Sequence, residues 1–466
     1  MDANRAFEKA RADLFYPPID FEIRDVPKSY IDFSSRIKII LSENQAKMLS
    51  YRALVGLFHH ELNHWVRHPY DLKTLILESY WLEGWKNRHE IRNAFDDIVV
   101  NLDLVDKGLK YVLQVYREIK PYSYLENILR AVLTEITGLK FGSFSLSEDM
   151  AEKVEKLVKI DYLDTRRSAL KVNLKRFAEI VGEREYKPFF ISFDFTDFPE
   201  RRIRRALKEI AESFERKDFT CIFRFVGIDR STSKFELDAD VEWYLVRASN
   251  YIKRLKFRQS GSLYPHEIKD FCLEDSIDFY NPTESYLKFI PGIAKKYDLK
   301  DFEGFDRNER NVVIVIDSSG SMRNPRKDRS LAVLIGFAIA KLCLDMGWKV
   351  GVINFSGKTE ILHPTRSYDV FKYIKTYQGG GTFLDVNKLK RYLKYVDAKY
   401  VLITDGGIDN LDEVKDVLSN VDLSVIWIKS DVKGRKEFER IRELNKIYEV
   451  ESERDIQKVL RDILWT

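Results

Sequence analysis

The sequence has little cysteine, no long apolar run and no large excess of charge of either sign. Its three cysteines, Cys221, Cys272 and Cys343, lie far apart and are odd in number, which excludes a disulfide framework or a zinc site of clustered thiolates. The longest apolar run, from Leu331 to Ala340, is too short to cross a bilayer. The N-terminus is charged and lacks the apolar core of a secretory signal. We therefore expect a cytoplasmic protein that does not enter a membrane.

The balance of charges gives no indication of nucleic acid as a partner. The 78 basic and 74 acidic residues leave a formal net charge of +4, whereas binding to nucleic acid through its phosphates calls for a marked basic surplus. With 466 residues the chain is long enough for about two or three domains. We expect a multidomain protein with no nucleic acid among its partners.

The most informative stretch is a buried strand followed by three oxygen-bearing side chains. The apolar residues from Val312 to Ile316 run without a break, a pattern typical of a strand covered on both faces in a parallel sheet. Asp317, Ser319 and Ser321 follow it, and Gly320 permits a tight turn between them. One carboxylate and two hydroxyls at the end of such a strand form an all-oxygen site, which suits Mg²⁺ or Mn²⁺ better than zinc.

Two later segments supply further candidates for the same site. The glycines at 379–381 lead into Thr382, and a short apolar strand from Tyr400 to Ile403 is followed closely by Asp405. Open α/β sheets gather such residues at the carboxyl edge of their strands. From Asn311 onward strands and helices alternate, which predicts a doubly wound α/β domain.

In this order the motifs resemble the von Willebrand factor A (VWA) domain and its metal-ion-dependent adhesion site. The resemblance covers residues 311–466. It assigns the metal ligands to Asp317, Ser319, Ser321, Thr382 and Asp405. It implies a Rossmann-like fold that holds Mg²⁺ or Mn²⁺, with one position completed by an Asp or Glu of a protein partner. Intracellular prokaryotic proteins of this kind often accompany MoxR-type AAA+ ATPases, so the resemblance also implies such a partner. Polar loop caps that hold no metal are the alternative.

A second motif lies within a helical pattern that runs from Glu43 to Trp65. Ser42 and Gln45 form a capping-box pattern at its start. The segment from His60 to His64 has the sequence H-E-x-x-H. Positions i and i+4 of a helix face the same way, so both imidazoles can bind one Zn²⁺, with Glu61 beside it as a general base. The motif is short, and two partly buried helix histidines are the alternative.

A third ligand is expected from the next helical pattern, which runs from Tyr80 to Val105. Beside its apolar stripe lies a polar stripe with a spacing of four residues, formed by His89, Asn93, Asp97 and Asn101. Amides on both sides of one carboxylate make sense if Asp97 binds the metal ion and Asn93 and Asn101 support it. Asp96 and His89 are the other candidates for the third ligand.

The two helical motifs together resemble the metallopeptidase domains that precede VWA-like domains in some prokaryotic proteins. There H-E-x-x-H is followed by a helix with N-x-x-x-D-x-x-x-N, which residues 93–101 match, and the resemblance covers residues 42–104. It implies a Zn²⁺ ion bound by the two motif histidines and Asp97, with Glu61 as the general base. The chain departs from better-known zincins in having Asp where they have a downstream Glu or His.

The middle of the chain gives the least specific signal and is expected to be α+β. Helices are predicted at residues 124–137, 147–159, 165–181 and from 201 onward. Strands are predicted at residues 189–195, 220–226 and 235–246. The predicted domains are a helical, zincin-like metallopeptidase domain at 1–110, an α+β region at 111–304 and the VWA domain at 305–466.

Two functions are consistent with these motifs. In the first, the chain is a zinc-dependent metallopeptidase whose VWA domain binds a divalent cation and recruits a protein partner or substrate. In the second, zinc is absent or structural, and the chain is a non-catalytic adaptor that acts with a MoxR-type AAA+ ATPase through magnesium-dependent binding. The metal content of the purified protein discriminates between the two.

Overall fold

The computed structural model describes most of the chain, which divides into two compact units. The described residues are 2–32, 37–121, 123–182, 198–227, 238–253, 264–272, 275–283, 285, 294–300, 310–429 and 446–464. The first unit is Met1–Leu207 with Leu263–Asp301, and the second is Lys208–Ser262 with Phe302–Thr466. The expectation of a mixed helical and sheet, multidomain chain is confirmed. None of the described helices is long and apolar enough to cross a membrane.

The first unit is mostly helical. Its helices are α1 (Asp2–Asp13), α2 (Glu43–Met48), α3 (Tyr51–Val66), α4 (Leu72–Trp81), α5 (Arg88–Asp106), α6 (Val112–Glu118), α7 (Tyr124–Thr137), α8 (Glu148–Leu157) and α9 (Arg167–Val181). They are followed by α10 (Glu200–Ser213), which contains the end of the unit's first segment at residue 207.

Two small sheets belong to the first unit. The strands of the first are β1 (Asp20–Arg24), β2 (Tyr30–Asp32) and β3 (Lys38–Ser42). The central strand β3 pairs in parallel with β1 and antiparallel with β2, which leaves β2 at an edge of this sheet. The strands of the second are β4 (Tyr264–Asp270), β5 (Tyr280–Asn281) and β6 (Lys295–Lys300). Both of its pairs are antiparallel, with β6 in the centre.

The central helix of the first unit is α3. Every residue from Ala53 to His64 is buried, because α1, α5 and α6 pack around this helix. The approach to the start of α6 is very close, since a Cβ at Gly56 would lie 2.2 Å from the Tyr111 carbonyl oxygen. Only glycine fits this position. The H-E-x-x-H motif therefore lies in the interior of the unit and not on its surface.

The helical pattern from Glu43 to Trp65 forms two helices, α2 and α3, and not one. The second helix is capped by Ser50, whose hydroxyl accepts a hydrogen bond from a backbone N–H of the first turn at 3.3 Å. The predicted capping box is wrong. The Ser42 hydroxyl donates to the Val26 carbonyl oxygen at 2.6 Å, and the Gln45 side chain accepts hydrogen bonds from outside the helix. The pattern from 80 to 105 is split in the same way between α4 and α5.

The helices that follow residue 110 belong to the same unit as α3 and α5. Helix α6 packs against α3, and α7 and α9 pack against α5. Helices α7, α8 and α9 agree with the predictions at 124–137, 147–159 and 165–181. The compact unit thus continues past the predicted domain boundary at residue 110.

The second unit contains a six-stranded sheet. Its strands are β7 (Asn311–Asp317), β8 (Lys349–Phe355), β9 (Thr359–Thr365), β10 (Lys399–Thr404), β11 (Leu423–Ile428) and β12 (Ile447–Val450). Their spatial order is β12-β11-β10-β7-β8-β9, and each pair is parallel except β8 with β9. From β7 the chain adds β8 and β9 on one side of the sheet. From β10 it adds β11 and β12 on the other side, so the strand order reverses between β7 and β10. Ligands of doubly wound sheets bind outside the carboxyl ends of the strands at such a reversal.

Helices of the second unit lie before and between these strands. They are α11 (Arg216–Val226), α12 (Ala239–Lys253), α13 (Leu331–Asp345), α14 (Asp369–Lys375), α15 (Val386–Tyr395), α16 (Leu411–Leu418) and α17 (Glu453–Leu464). The sequence did not predict β9, because this edge strand is largely half-exposed and contains a proline. The strand predicted at 189–195 lies outside the described residues. So do residues 436–445, where the alternating pattern after Asn311 predicts a helix.

Two of the predicted strands are wrong. Residues 220–226 belong to helix α11, and residues 239–246 belong to helix α12. The buried side chains of α11 are Phe219, Ile222 and Phe223, which follow the spacing of a helix face. Their aromatic and β-branched neighbours favoured a strand by composition, but the packing face decides the structure.

Helix α12 packs directly on α13, next to the six-stranded sheet. The Tyr244 ring lies 5.4 Å from the ring of Phe337, measured between centroids. The Tyr244 hydroxyl accepts a hydrogen bond from the backbone N–H of Ser330, the residue that caps α13, at 3.0 Å. Residues well before the predicted boundary at 305 therefore complete the core of this unit.

Candidate metal centres

Three donor atoms converge between helices α3 and α5. The distance between the Nε2 atoms of His60 and His64 is 3.3 Å. The Asp97 Oδ1 atom lies 3.4 Å from the first and 3.2 Å from the second of these nitrogens. Ligands held 2.0–2.1 Å from a tetrahedral zinc ion are about 3.3 Å apart. The three atoms therefore have the spacing that one tetrahedral ion requires.

The outer ring nitrogens of both histidines are held by hydrogen bonds. The His64 Nδ1 atom lies 3.0 Å from the backbone carbonyl oxygen of His68, which can only accept, so Nδ1 carries the proton. The His60 Nδ1 atom lies 3.0 Å from the side-chain oxygen of Asn101, whose amide donates to the Tyr116 hydroxyl at 2.8 Å. Both Nε2 atoms then direct lone pairs at the Asp97 carboxylate. Such a buried arrangement requires a cation, either a proton or a metal ion.

The electrostatics of this group keep Asp97 charged. Burial raises the pKa of the Asp97 carboxyl, but hydrogen bonds and charge interactions with His60 and His64 outweigh it, and the pKa is lowered. Burial alone would lower the pKa of His60, yet Asp97 raises it above its ordinary value. The Asn93 amide lies 3.4 Å from the second carboxylate oxygen of Asp97. The inner oxygen of the Asp97 carboxylate, Oδ1, thus faces the two imidazoles.

Glu61 is buried beside this group. Its side chain is 3% exposed, and burial raises the pKa of its carboxyl. The carboxylate accepts a hydrogen bond from the backbone of Ile31 on edge strand β2. Its Oε1 atom has no hydrogen-bond partner among the described residues. A buried carboxyl with a raised pKa beside a candidate metal site is typical of groups that act as a general base.

A second buried group lies nearby in the chain and consists of His68, Glu78 and Asp96. The His68 Nε2 atom lies 2.7 Å from Glu78 Oε1 and 3.1 Å from Asp96 Oδ1. The Arg92 guanidinium is 3.8 Å from the other oxygen of Asp96. Asp96 therefore belongs to this group and not to the group of Asp97. His89, the other alternative ligand, belongs to neither group of the described residues.

The second group is a set of buried ion pairs. Burial lowers the pKa of His68, but the carboxylates of Glu78 and Asp96 outweigh it and raise the pKa to about 10. Burial, and then the charge of Asp96, raise the pKa of Glu78 to about 7. Both groups are buried sets of histidine and carboxylate that could hold a metal ion. Only the first has donor spacings that are all near the tetrahedral value.

A third candidate site lies at the carboxyl ends of β7 and β10. Asp317 ends β7, where one carboxylate oxygen accepts the backbone N–H of Ser319 at 2.9 Å and the other accepts the Thr404 hydroxyl at 2.8 Å. The hydroxyl oxygens of Ser319 and Ser321 are 3.2 Å apart. Asp405 follows β10, and its buried Oδ2 atom has no hydrogen-bond partner among the described residues. The available donors are all oxygens, which fits Mg²⁺ or Mn²⁺.

The loop that carries Thr382 is joined to the loop after β7 by backbone hydrogen bonds. The backbone N–H of Gly320 donates to the Gly380 carbonyl oxygen at 2.9 Å, and Gly379 donates to the Ser318 carbonyl oxygen at 2.9 Å. A Cβ at Gly320 would lie 3.3 Å from the backbone oxygen of Gly379. Thr382 itself is buried, and its backbone N–H donates to Asp409 at 3.1 Å. The predicted ligands thus lie on adjoining loops.

Burial makes the negative charge of the Asp317 carboxylate unfavourable unless a cation is bound beside it. It raises the pKa of Asp317 to about 6, and the nearby Asp405 adds to this effect, while hydrogen bonds from Ser319 and Thr404 oppose it. A divalent cation between these side chains would reverse the shift.

The sequence analysis did not single out His68, Glu78 or Tyr116. His68 stands four residues after His64, a spacing that could have pointed to it, whereas Glu78 and Tyr116 stand in no recognisable spacing with the motif residues. The Asn101 amide, in contrast, was predicted as a neighbour of the site from its four-residue spacing. Comparison of the sequence with models of known protein families and with curated proteins gave no match.

Proposed function

We propose that this chain is a zinc-dependent metallopeptidase with a VWA domain that binds a divalent cation and recruits a protein partner or substrate. The observation that carries the proposal is the triangle of donor atoms from His60, His64 and Asp97, with edges of 3.2–3.4 Å. Three protein donors that leave a fourth position free are typical of catalytic zinc. The resemblance of the two helical motifs to metallopeptidase domains agrees with this assignment.

The residues around the triangle would have distinct tasks in hydrolysis. His60, His64 and Asp97 would hold a zinc ion, which would supply Lewis acidity and lower the pKa of a bound water. Glu61 would take the proton of the attacking water and return it to the leaving amine, since its pKa is raised by burial. Asn101 and the His68 carbonyl hold the imidazoles, and Asn93 contacts the Asp97 carboxylate.

The site at the end of β7 supports the second part of the proposal. Asp317 and Asp405 are buried acidic groups at a strand-order reversal, and two neighbouring hydroxyls lie on the loop after β7. Mg²⁺ or Mn²⁺ held there would keep one position for an Asp or Glu of a protein partner, as the VWA resemblance implies. A MoxR-type AAA+ ATPase is the partner that this resemblance suggests.

Burial of the first site favours the alternative function, a non-catalytic adaptor with structural zinc. His60, Glu61 and Asp97 are each 2–3% exposed, and a peptide must reach the metal ion for hydrolysis. In the adaptor the zinc ion would join α3 to α5, and the sheet site would bind a MoxR-type ATPase.

One pair of measurements on the purified full chain separates the functions. Zinc content is measured together with hydrolysis of a peptide library, for the wild type and for Glu61→Gln. The peptidase predicts stoichiometric zinc in both proteins and hydrolysis by the wild type alone, because the substitution keeps the shape and removes the base. Stoichiometric zinc with no hydrolysis by either protein would support the adaptor, and absence of zinc would contradict the proposed site.

A further inference from the structure

We infer that the ion-pair group of His68, Glu78, Asp96 and Arg92 is a positioning device for the zinc ligand His64. This inference rests on the proposed zinc site and adds residues to it that the motifs do not contain. The group joins three elements, because His68 follows α3, Glu78 lies on α4, and Asp96 and Arg92 lie on α5. All four side chains are at most 5% exposed.

The spacing of the group favours ion pairs over a second metal ion. The contact of 2.7 Å between His68 Nε2 and Glu78 Oε1 is shorter than the separation of about 3.3 Å expected for two ligands of tetrahedral zinc. Arg92 lies close to Asp96 and donates to the Ser79 hydroxyl at 2.8 Å. The His68 imidazole and the Arg92 guanidinium therefore face the carboxyls of Glu78 and Asp96, so each acidic group has a basic partner within the group itself.

The link to the zinc site is the backbone of His68. Its carbonyl oxygen accepts the Nδ1–H of His64 at 3.0 Å, which keeps the lone pair of Nε2 directed at the metal position. The side chain of the same residue is held by Glu78 and Asp96. In the connection between α3 and α4, His68 is fully buried, whereas Tyr70 is 52% exposed. The ion pairs therefore anchor the carbonyl that orients His64.

Helix α5 contributes to both groups through adjacent residues. Asp96 faces His68, and Asp97 faces His60 and His64. A change that releases Asp96 or Glu78 would let the connection after α3 shift and would leave the His64 ring less well oriented. A metal-ligating histidine whose outer partner is lost binds its ion about 10–100-fold more weakly.

The test uses the full-length chain with Glu78→Gln, which keeps the side-chain size and removes the charge. Zinc affinity is measured by competition with a chromophoric chelator and is expected to fall about 10–100-fold. The absorption bands of the Co²⁺-substituted protein should also change, because they report the geometry of the ligands. Leu133→Ala is the matched control: Leu133 is fully buried on α7, so the variant loses stability but should keep the zinc affinity and the cobalt spectrum of the wild type.

A milder variant covers the case in which Glu78→Gln does not fold. Glu78→Asp keeps the charge and withdraws it from His68, so a smaller loss of zinc affinity with the same spectral change is expected. Wild-type affinity and spectrum in whichever of these variants fold would overturn the inference. So would a second equivalent of metal that only the Glu78 variants lose, because the group would then be a metal site itself. A wild type that binds no zinc would instead refute the proposed function, and the positioning role with it.

Discussion

The two predicted metal centres of this chain are held together in different ways. In the first, His60, His64 and Asp97 project from two helices, and hydrogen bonds on their outer atoms fix the donors in advance. In the second, Asp317 and Asp405 stand at strand ends, and glycine-rich loops bring the neutral oxygens close. The difference gives each site its own chemistry, since imidazole favours zinc and an all-oxygen set favours Mg²⁺ or Mn²⁺.

The two centres also differ in the charge state that the fold prefers before any metal binds. Burial is the largest influence on both carboxyls. At Asp97 two neighbouring imidazoles overcome it, and the pKa is lowered. At Asp317 no cationic side chain among the described residues does so, and the pKa rises to about 6. The first site is therefore electrostatically supported without metal, whereas the second is strained by its own charge.

The largest expected effect is a loss of folding when the domain that holds the second centre is expressed without helix α12. A fragment of residues 305–466 lacks α12, whose Tyr244 covers α13. We expect this fragment to be insoluble or to unfold without cooperativity, and residues 208–466 to unfold cooperatively, because the latter retains both segments of the second unit. Circular dichroism during heating measures both. Cooperative unfolding of the shorter fragment would instead support the boundary predicted at 305.

Removing one metal-binding side chain from each centre should affect the binding of a different metal ion in each case. Asp97→Ala should weaken zinc binding more than about 100-fold, beyond the loss expected for a supporting residue, and should leave Mg²⁺ binding unchanged. Asp317→Ala should abolish Mg²⁺ binding and leave zinc unchanged, since it removes a charged oxygen from a mostly neutral set. Isothermal calorimetry with each ion measures both variants. Loss of both ions in either variant would mean that the sites are not independent.

Neutral variants should shift the stability of the metal-free protein in opposite directions. A lowered pKa contributes stability above the ordinary pKa of the carboxyl and loses it on acidification, so Asp97→Asn should destabilise at pH 7.5 by about 3 kcal/mol. A raised pKa of the folded state reduces stability as the pH rises from about 4 to 6, so Asp317→Asn should stabilise the protein by about 3 kcal/mol. Urea unfolding in chelator measures both shifts. Shifts of the same sign would contradict the electrostatic contrast.

Much of both centres was predictable because their residues stand at regular spacings. The i, i+4 spacing of His60 and His64 requires only that α3 be a helix, and Asp317 needs only the apolar strand before it. The break at Ser50 was missed because a capping-box pattern stood at Ser42, whose hydroxyl instead binds a distant carbonyl oxygen. Contacts that depend on tertiary packing, such as the Glu78 carboxylate on His68, leave no periodic signal in the sequence.

The central claim is that His60, His64 and Asp97 share one zinc ion. A crystal of the full-length protein, measured on both sides of the zinc absorption edge, locates the metal directly. We predict a single anomalous zinc peak about 2.0–2.1 Å from His60 Nε2, His64 Nε2 and Asp97 Oδ1. A zinc peak among His68, Glu78 and Asp96 in its place, or no peak at the triangle in protein loaded with zinc, would contradict the claim.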